Sequence, residues 1–343
     1  MFNTQPPSLH HDPVNGPPLP LQGRGDRGVR SRPLNILIVT SIYPTQKEPG
    51  LGAFVASQVS SLRKLGLEVD VLFLDVRRSK WELIRGIGRI KKALKTKPYD
   101  LIHAHFGYNG VPVCFQKQVP FVMSYCGTDL HHHRLRPISK WVARRADACI
   151  VKSQSLHTLL NHPATVIPNG VDMDRFHPGD KREAKRRLKL NLDKQYVLFV
   201  TTDLSRPEKR YDLARQAVEQ SGAELLLLHN RPPEESPVYF QAADALIMSS
   251  TYEGSPNVIK EGMACNLPIV STDVGDVSSV ITNTHNCQIC NSTPEALAEG
   301  LRKVLHDGQP SNGRDNIMHL SSDRIAAQIV QLYHRILNKE ATS

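Results

Sequence analysis

The sequence has no apolar run near the roughly 18 to 20 residues that a membrane-crossing helix requires, so the chain reads as soluble or peripheral. It shows no cleavable apolar leader near Met1. Its six cysteines, Cys114, Cys126, Cys149, Cys265, Cys287 and Cys290, are scattered rather than spaced as a disulfide framework. These absences argue against a secreted, cross-linked domain and make a cytoplasmic location the expectation. Cys287-Gln288-Ile289-Cys290 is a single C-x-x-C with no second pair, which argues against zinc, and its apolar neighbours suggest a short buried strand. The run His131-His132-His133 looks like a metal tract, but three adjacent side chains cannot share one face and no carboxylate or cysteine stands at ligand spacing. Solvent-facing histidines are expected there.

What is present is enough apolar material, 40% of 343 residues, for two cores of about 130 to 170 residues each. Residues 1–33 hold Pro6, Pro7, Pro13, Pro17, Pro18 and Pro20, then Gly and Arg around Arg24 to Arg32, with almost nothing to bury, and read as a disordered leader; a basic tail with its own function is the other reading. From Leu34 onward, short apolar runs (34–39, 67–74, 101–102, 120–123, 148–151) alternate with amphipathic stretches such as Phe54, Val55, Val59, Leu62 and Leu65. That alternation predicts repeated β-α units and a parallel sheet. The same grammar restarts at 196–200, 223–228, 245–248 and 268–270. The expected fold is therefore α/β, with two doubly wound domains, 34–167 and 168–320, facing across a cleft, and a last helix over 322–337 returning to the first. The seam is placed at Pro168-Asn169-Gly170-Val171-Asp172, whose Asp172-Met173-Asp174 imitates a D-x-D metal motif but is assigned to structure.

The formal charge of +10 suits anionic partners without choosing among nucleic acid, acidic lipid and phosphorylated small molecules. Motifs decide. The stretch from Ser249 to Ala264 follows a predicted strand and opens a helix, with Ser255 suited to the N-cap and Pro256 to the first helical position. Free N–H groups of such a first turn form an anion site. Glu261 would lie six residues past the cap, about 9 Å along the axis at 1.5 Å per residue, roughly the reach from a diphosphate to a ribose. Its carboxylate can accept bonds from two vicinal hydroxyls, while Glu253, held before the helix, could meet hydroxyls of a transferred sugar. Two glutamates at this spacing also occur by chance on an ordinary capped surface helix.

The surrounding residues add to the pair. Glu253-Gly254-Ser255-Pro256, Glu261-Gly262-Met263-Ala264, Leu267-Pro268-Ile269-Val270 and Val274-Gly275-Asp276 together resemble the signature of glycosyltransferase family 4, and 168–176 resembles that family's interdomain loop. The resemblance spans about residues 34–337. It implies the GT-B architecture of two Rossmann-like domains, and a glycosyltransferase of the hexosyltransferase type that moves a sugar from a nucleotide-diphosphate donor with retention at the anomeric carbon, without metal or other cofactor. By position, Glu261 would bind the donor ribose, Glu253 the donor sugar, and the amides of Gly254, Ser255, Pro256-Asn257 and Val258 the phosphates. Lys209, in Ser205-Arg206-Pro207-Glu208-Lys209-Arg210, aligns with the family's phosphate-binding lysine. Arg206 does not align, because the family's arginine position holds Leu204; it is inferred as a substitute, and both could instead be solvated helix-start charges.

The first domain is expected to bind the acceptor. Gly50-Leu51-Gly52 resembles the family's glycine loop, where backbone can approach phosphate or acceptor; a tight turn before a helix explains it as well. In Tyr125-Cys126-Gly127-Thr128-Asp129, Cys126 stands where relatives often have histidine, and Asp129 either orients or deprotonates the acceptor hydroxyl or caps its loop. Of His103 and His105, His105 is the one expected to project into the cleft, with a satisfied buried histidine as the alternative. Basic residues crowd a predicted helix between Arg77 and Lys97, whose stripe of Trp81, Leu83, Ile84, Ile87, Ile90 and Leu94 either packs on the sheet or rests on an anionic bilayer. With Arg134, Arg136, Lys140, Arg144 and Arg145 it suggests a polyprenyl-phosphate-linked or glycan acceptor in polysaccharide and cell-envelope synthesis, at the inner face of the cytoplasmic membrane. Nucleic acid is disfavoured, since the glycine loops lack interleaved aromatics. A sugar-nucleotide epimerase of the same fold and a non-catalytic sugar-nucleotide binding protein are the rival readings.

Overall fold

The computed structural model describes residues 32–76 and 78–340. The leader over 1–33, but for its last two residues, and Arg77 lie outside the described residues.

Eleven strands among the described residues form two parallel sheets. The first contains β1 (Asn35–Thr40), β2 (Glu68–Phe73), β3 (Leu101–His105), β4 (Phe121–Tyr125), β5 (Ala148–Val151) and β6 (Thr165–Val166), in the order β2-β1-β3-β4-β5-β6. The second contains β7 (Tyr196–Thr201), β8 (Glu224–His229), β9 (Ala245–Met248), β10 (Ile269–Ser271) and β11 (Cys287–Ile289), in the order β11-β10-β9-β7-β8. The near-continuous apolar runs follow from burial on both faces. In β1, Ile36 and Ile38 pack with Val55, Val59 and Leu62, whereas Leu37 and Val39 point the other way, to Leu74 and Ile90. β7 divides likewise, with Leu198 on one side and Val197 and Phe199 on the other. Each fully buried Ile or Leu contributes about 1.5 to 3 kcal/mol.

Two strands depart from the sequence reading. β6, a two-residue edge, carries too little pattern to be read from the sequence. β11 is a strand but not a buried one, since Ile289 is exposed at the sheet edge.

The helix Ser322–Glu340 presents Ile325, Ile329, Leu332, Tyr333 and Ile336 at helical spacing to the cluster that includes Val55 and Leu62 of the helix Ala53–Lys64. It thereby carries the chain back from the second sheet to the first. Where the chain passes between sheets it does so twice, and the two passes are tied together: Val171 N–H donates to the Leu320 carbonyl (3.0 Å) and Ser322 N–H to the Val171 carbonyl (2.8 Å). Arg314 fixes the outgoing pass from below. Its guanidinium donates to the carbonyls of Met173 (2.8 Å), Phe176 (2.7 Å) and Ala264 (3.0 Å), the last at the C-terminal end of the helix Asn257–Ala264, where a cation is favoured. Asp172 is structural, its Oδ1 accepting the N–H groups of Asp174 and Arg175.

Both sheets place their ligand-competent loops at the carboxyl ends of the strands. In the second sheet the order reverses between β7 and β9, the position at whose carboxyl end open α/β sheets bind ligands.

Candidate active site

The switch point of the second sheet is flanked by the loop after β7, which carries Arg206 and Lys209, and the loop after β9, which carries Glu253 and Gly254. A hydroxyl and a main-chain amide tie the two loops together, and Thr272 from the loop after β10 braces the second. Ser249 Oγ donates to the carbonyls of Lys209 (2.8 Å) and Arg210 (3.0 Å), Thr251 N–H donates to the Glu208 carbonyl (2.9 Å), and Thr272 Oγ1 donates to the Ser250 carbonyl (2.7 Å). So held, Lys209 Nζ meets Glu253 Oε1 at 2.6 Å, and Ser250 Oγ reaches the same oxygen at 3.0 Å. Arg206 is beside this cluster but turned to Glu208, to which its Nε donates at 2.6 Å.

The helix after Glu253 runs Asn257–Ala264, with Pro256 in the cap position and no side-chain cap. This corrects the assignment of Ser255 as N-cap. Its hydroxyl is taken up elsewhere, donating to Asp276 Oδ2 (2.7 Å) and accepting from Asn169 N–H (3.2 Å) and from the ammonium of Lys260. The first-turn amides are consequently left without a side-chain partner, which favours an anion there. The later start shortens the axial span from cap to Glu261 to about 7.5 Å.

Glu261 is half-buried yet densely ringed by protein. Burial pushes its carboxyl up to about 7, and the Arg175 guanidinium draws it partly back. Arg175 also lines a cavity of about 720 Å3 between the lobes, together with Pro44, Pro49 and Ser57 from one side and Asp172 and Pro233 from the other. The cavity is of small-ligand size. Glu253, Lys209 and Glu261 do not line it; Arg175 links the opening to Glu261 alone.

The first lobe meets this cluster at main-chain distance. A Cβ on Gly254 would stand 2.1 Å from the Cys126 carbonyl oxygen, and one on Gly127 would stand 3.2 Å from Gly254 N, so the two loops touch only because both residues lack side chains. Gly52, at φ +65°, turns where a Cβ would fall 2.6 Å from the Ile42 carbonyl; Gly50 approaches Thr202 of the opposite lobe.

Three sequence expectations are corrected on this side. Asp129 is fully buried and accepts N–H groups from Gly107 (3.0 Å), Cys126 (3.1 Å) and Gly127 (2.9 Å). It caps its loop and has no path to an acceptor hydroxyl. His105 does not enter the cleft. It shares the β3 face of His103, two residues away, and both rings lie stacked and fully buried beneath the helices at either end of the chain, with Tyr333 Oη 2.6 Å from His103 Nδ1. Burial holds the His103 imidazole down to about 3 and His105 well below the usual histidine range.

His131 is the third. His132 and His133 are exposed, but His131 is half-buried and stacks on Tyr252 at 4.8 Å, across the gap and one residue before Glu253. Burial lowers its pKa. Nothing in three consecutive histidines distinguishes the one that faces the opposite lobe. Two buried lysines were also invisible to sequence reasoning. Lys260 is fully enclosed and pairs with Asp276 Oδ2 at 3.0 Å, and Lys152, 1% exposed, follows β5 beside Cys126. Burial lowers both ammonium pKa values; Lys260 pushes Lys152 further in that direction while Cys126 and Asp129 oppose it, and Asp276 opposes the shift at Lys260.

Among the described residues no group of three or more His, Cys, Asp or Glu could hold a metal ion, and no helix is long and apolar enough to cross a membrane.

Two family models match. "Glycosyl transferases group 1" covers residues 183–317 and "Glycosyltransferase Family 4" covers 49–175. A Bacillus subtilis protein described as a teichuronic acid biosynthesis glycosyltransferase is 27% identical, covering 80% of this chain and 90% of its own. The lipopolysaccharide core biosynthesis mannosyltransferase LpsB of Rhizobium meliloti is 26% identical over 69% of this chain and 77% of its own. Among solved structures, sucrose-phosphate synthase of Thermosynechococcus elongatus superposes with a TM-score of 0.74 at 18% identity, covering 89% of this chain and all of that one. HepE of Anabaena, in complex with UDP and glucose, superposes at 0.70 and 18% identity, covering 88% and 100%. These likenesses are to two-sheet GT-B glycosyltransferases.

Proposed function

The chain belongs to glycosyltransferase family 4, and from that premise we propose that it transfers a sugar, with retention at the anomeric carbon, from a nucleotide-diphosphate donor to a glycan or polyprenyl-phosphate-linked acceptor of the cell envelope. The observation that carries this reading is the Lys209–Glu253 pair, 2.6 Å apart, beside the uncapped start of the Asn257–Ala264 helix. A cation and free amides suit a diphosphate; a carboxylate between them and the facing lobe suits sugar hydroxyls. As the sugar–phosphate bond breaks, negative charge grows on the diphosphate, and Lys209 with the first-turn N–H groups stabilises it in place of a divalent ion. Glu261, farther along the helix, accepts from ribose hydroxyls. The N–H groups of Gly254, Ser255, Asn257 and Val258, flanking Pro256, and the backbone at Gly50 and Gly52 supply the remaining contacts, and Arg206 joins by exchanging Glu208 for phosphate.

The relatives' roles in teichuronic acid and lipopolysaccharide core synthesis support an envelope acceptor, and HepE's complex makes UDP-linked sugars the first donors to try. A lipid-linked acceptor also fits the first lobe's surface. Trp81, Ile84 and Phe115 are 67%, 58% and 55% exposed, on neighbouring elements that carry the exposed bases Lys80, Lys91 and Lys92. We read this as a face that rests on anionic lipid from the cytoplasmic side. The test of function is thermal-shift and product analysis with UDP-, GDP- and ADP-sugars, with and without acceptor. A donor that raises the midpoint and yields free or transferred sugar is expected; epimerised donor without acceptor would overturn the transferase reading. Flotation with anionic liposomes tests the docking face, and salt-insensitive failure to bind would remove it.

A further inference from the structure

We infer that His131 is a sugar-binding residue of this site, its Nε2 serving a hydroxyl of the donor sugar held at Glu253. The inference rests on the donor reading above. His131 comes from the first lobe, yet its ring lies against Tyr252, centroids 4.8 Å apart and planes 26° from parallel, immediately before Glu253 in the second. Its Nε2 is buried and makes no hydrogen bond of normal geometry, although the Glu253 main chain lies near enough to the ring to raise its pKa against the effect of burial. A ring nitrogen left that way is costly unless a ligand satisfies it.

The ring is also held in place before any ligand arrives. Asp129 pins the amides of Gly107, Cys126 and Gly127; Ser139 Oγ donates to the Asp129 carbonyl (2.8 Å); and Arg136 donates from Nε to the Leu130 carbonyl (2.6 Å) and from Nη2 to that of His131 itself (3.2 Å). Three buried or half-buried side chains thus fix the four-residue turn Thr128–His131 that aims one imidazole. Opposite, Lys209 and Ser250 both bond Oε1 of Glu253, and Oε2 takes neither. A sugar between Oε2 and His131 Nε2 would be gripped from both lobes. Burial lowers the imidazole pKa, helped by Arg136 and opposed by the main chain and the carboxylate of Glu253; the neutral ring has one donor and one acceptor nitrogen, either of which a hydroxyl can answer. Because the contact is to the sugar and not to the nucleotide, it distinguishes a nucleotide sugar from its bare diphosphate.

The test compares UDP with UDP-glucose, and in the same way UDP-glucuronic acid, GDP-mannose and ADP-glucose with their diphosphates, by calorimetric titration. His131→Phe keeps a flat ring for Tyr252 but has no nitrogen; His131→Gln loses the stack and sets an amide near the Nε2 position. His131→Phe is expected to weaken the nucleotide sugar about tenfold and leave the diphosphate within about twofold, with His131→Gln recovering most of the loss. A phenylalanine variant that binds the nucleotide sugar as wild type does, or weakens both ligands equally, overturns the assignment. In the wild type, the His131 Nε2 resonance should move with the nucleotide sugar and not with the diphosphate, and an equal response to both would overturn it without any variant. If wild type binds none of the four donors, the donor reading itself fails and this inference with it.

Discussion

The ammonium of Lys209 and the carboxylate of Glu253 are 44 residues apart in sequence and 2.6 Å apart in space, joined across the point where the second sheet reverses its strand order. Each holds the other where a diphosphate sugar would separate them. Lys209→Ala should therefore raise the donor KM and lower kcat together, by about two orders of magnitude in kcat/KM, as expected when a charge-stabilising group is removed. Glu253→Gln should lower kcat by a similar factor while the diphosphate alone binds as before. Steady-state kinetics with isothermal titration of the diphosphate check both; a glutamine variant of undiminished kcat would remove Glu253 from the reaction.

Glu261 ties stability to pH. Its folded carboxyl is raised from 4.5 to about 7, so protonation favours the folded state, and that contribution is complete below about 4.5 and lost as pH rises through 7. The full difference corresponds to roughly 3 kcal/mol. Glu261→Gln should unfold at higher urea than wild type at pH 8, with the advantage gone at pH 4.5, while nucleotide affinity falls at pH 8. Equal stabilisation at both pH values would show that the carboxyl titrates normally.

Gly254 is predicted to tolerate nothing larger. The Cβ of Gly254→Ala would sit 2.1 Å from the Cys126 carbonyl, a main-chain atom that cannot swing aside, so the loops must part at a cost of about 1 to 3 kcal/mol. A lower thermal midpoint and loss of the donor-induced shift are expected. The control is Gly88→Ala in the helix Trp81–Thr96, where a Cβ meets nothing within 4 Å and should stabilise by about 0.5 to 1 kcal/mol.

Arg314 should resist conservative exchange. Lysine cannot fork to three carbonyls on two segments, so Arg314→Lys is expected to cost about 1 to 3 kcal/mol by urea unfolding, nearly as much as Arg314→Ala. A silent lysine variant would mean that one ammonium suffices.

The sheets were readable because strands buried on both faces are apolar through their middle, as β1 and β7 are, and the helix Asn257–Ala264 because a strand, a turn rich in small residues and a proline precede it. The neighbours of each side chain were not. Ser255 has the chemistry of an N-cap, and only the fold brings Asn169, Lys260 and Asp276 to claim its hydroxyl first. Asp129 and His105 carry groups that could catalyse, but the first is consumed by three amides and the second shares its strand face with a packed histidine. His131 went unnoticed for the opposite reason, since its partner Tyr252 lies 121 positions onward.

The bond between Val171 and the residues flanking Ser321 makes the passage between lobes a double-stranded strap. A single connecting chain would let one half of the molecule slide, twist or swing; two chains laced side by side leave chiefly the swing, about the line they define. Any further approach of the halves would turn about that line and be met by Gly254 and Cys126, whose main chains are already in contact.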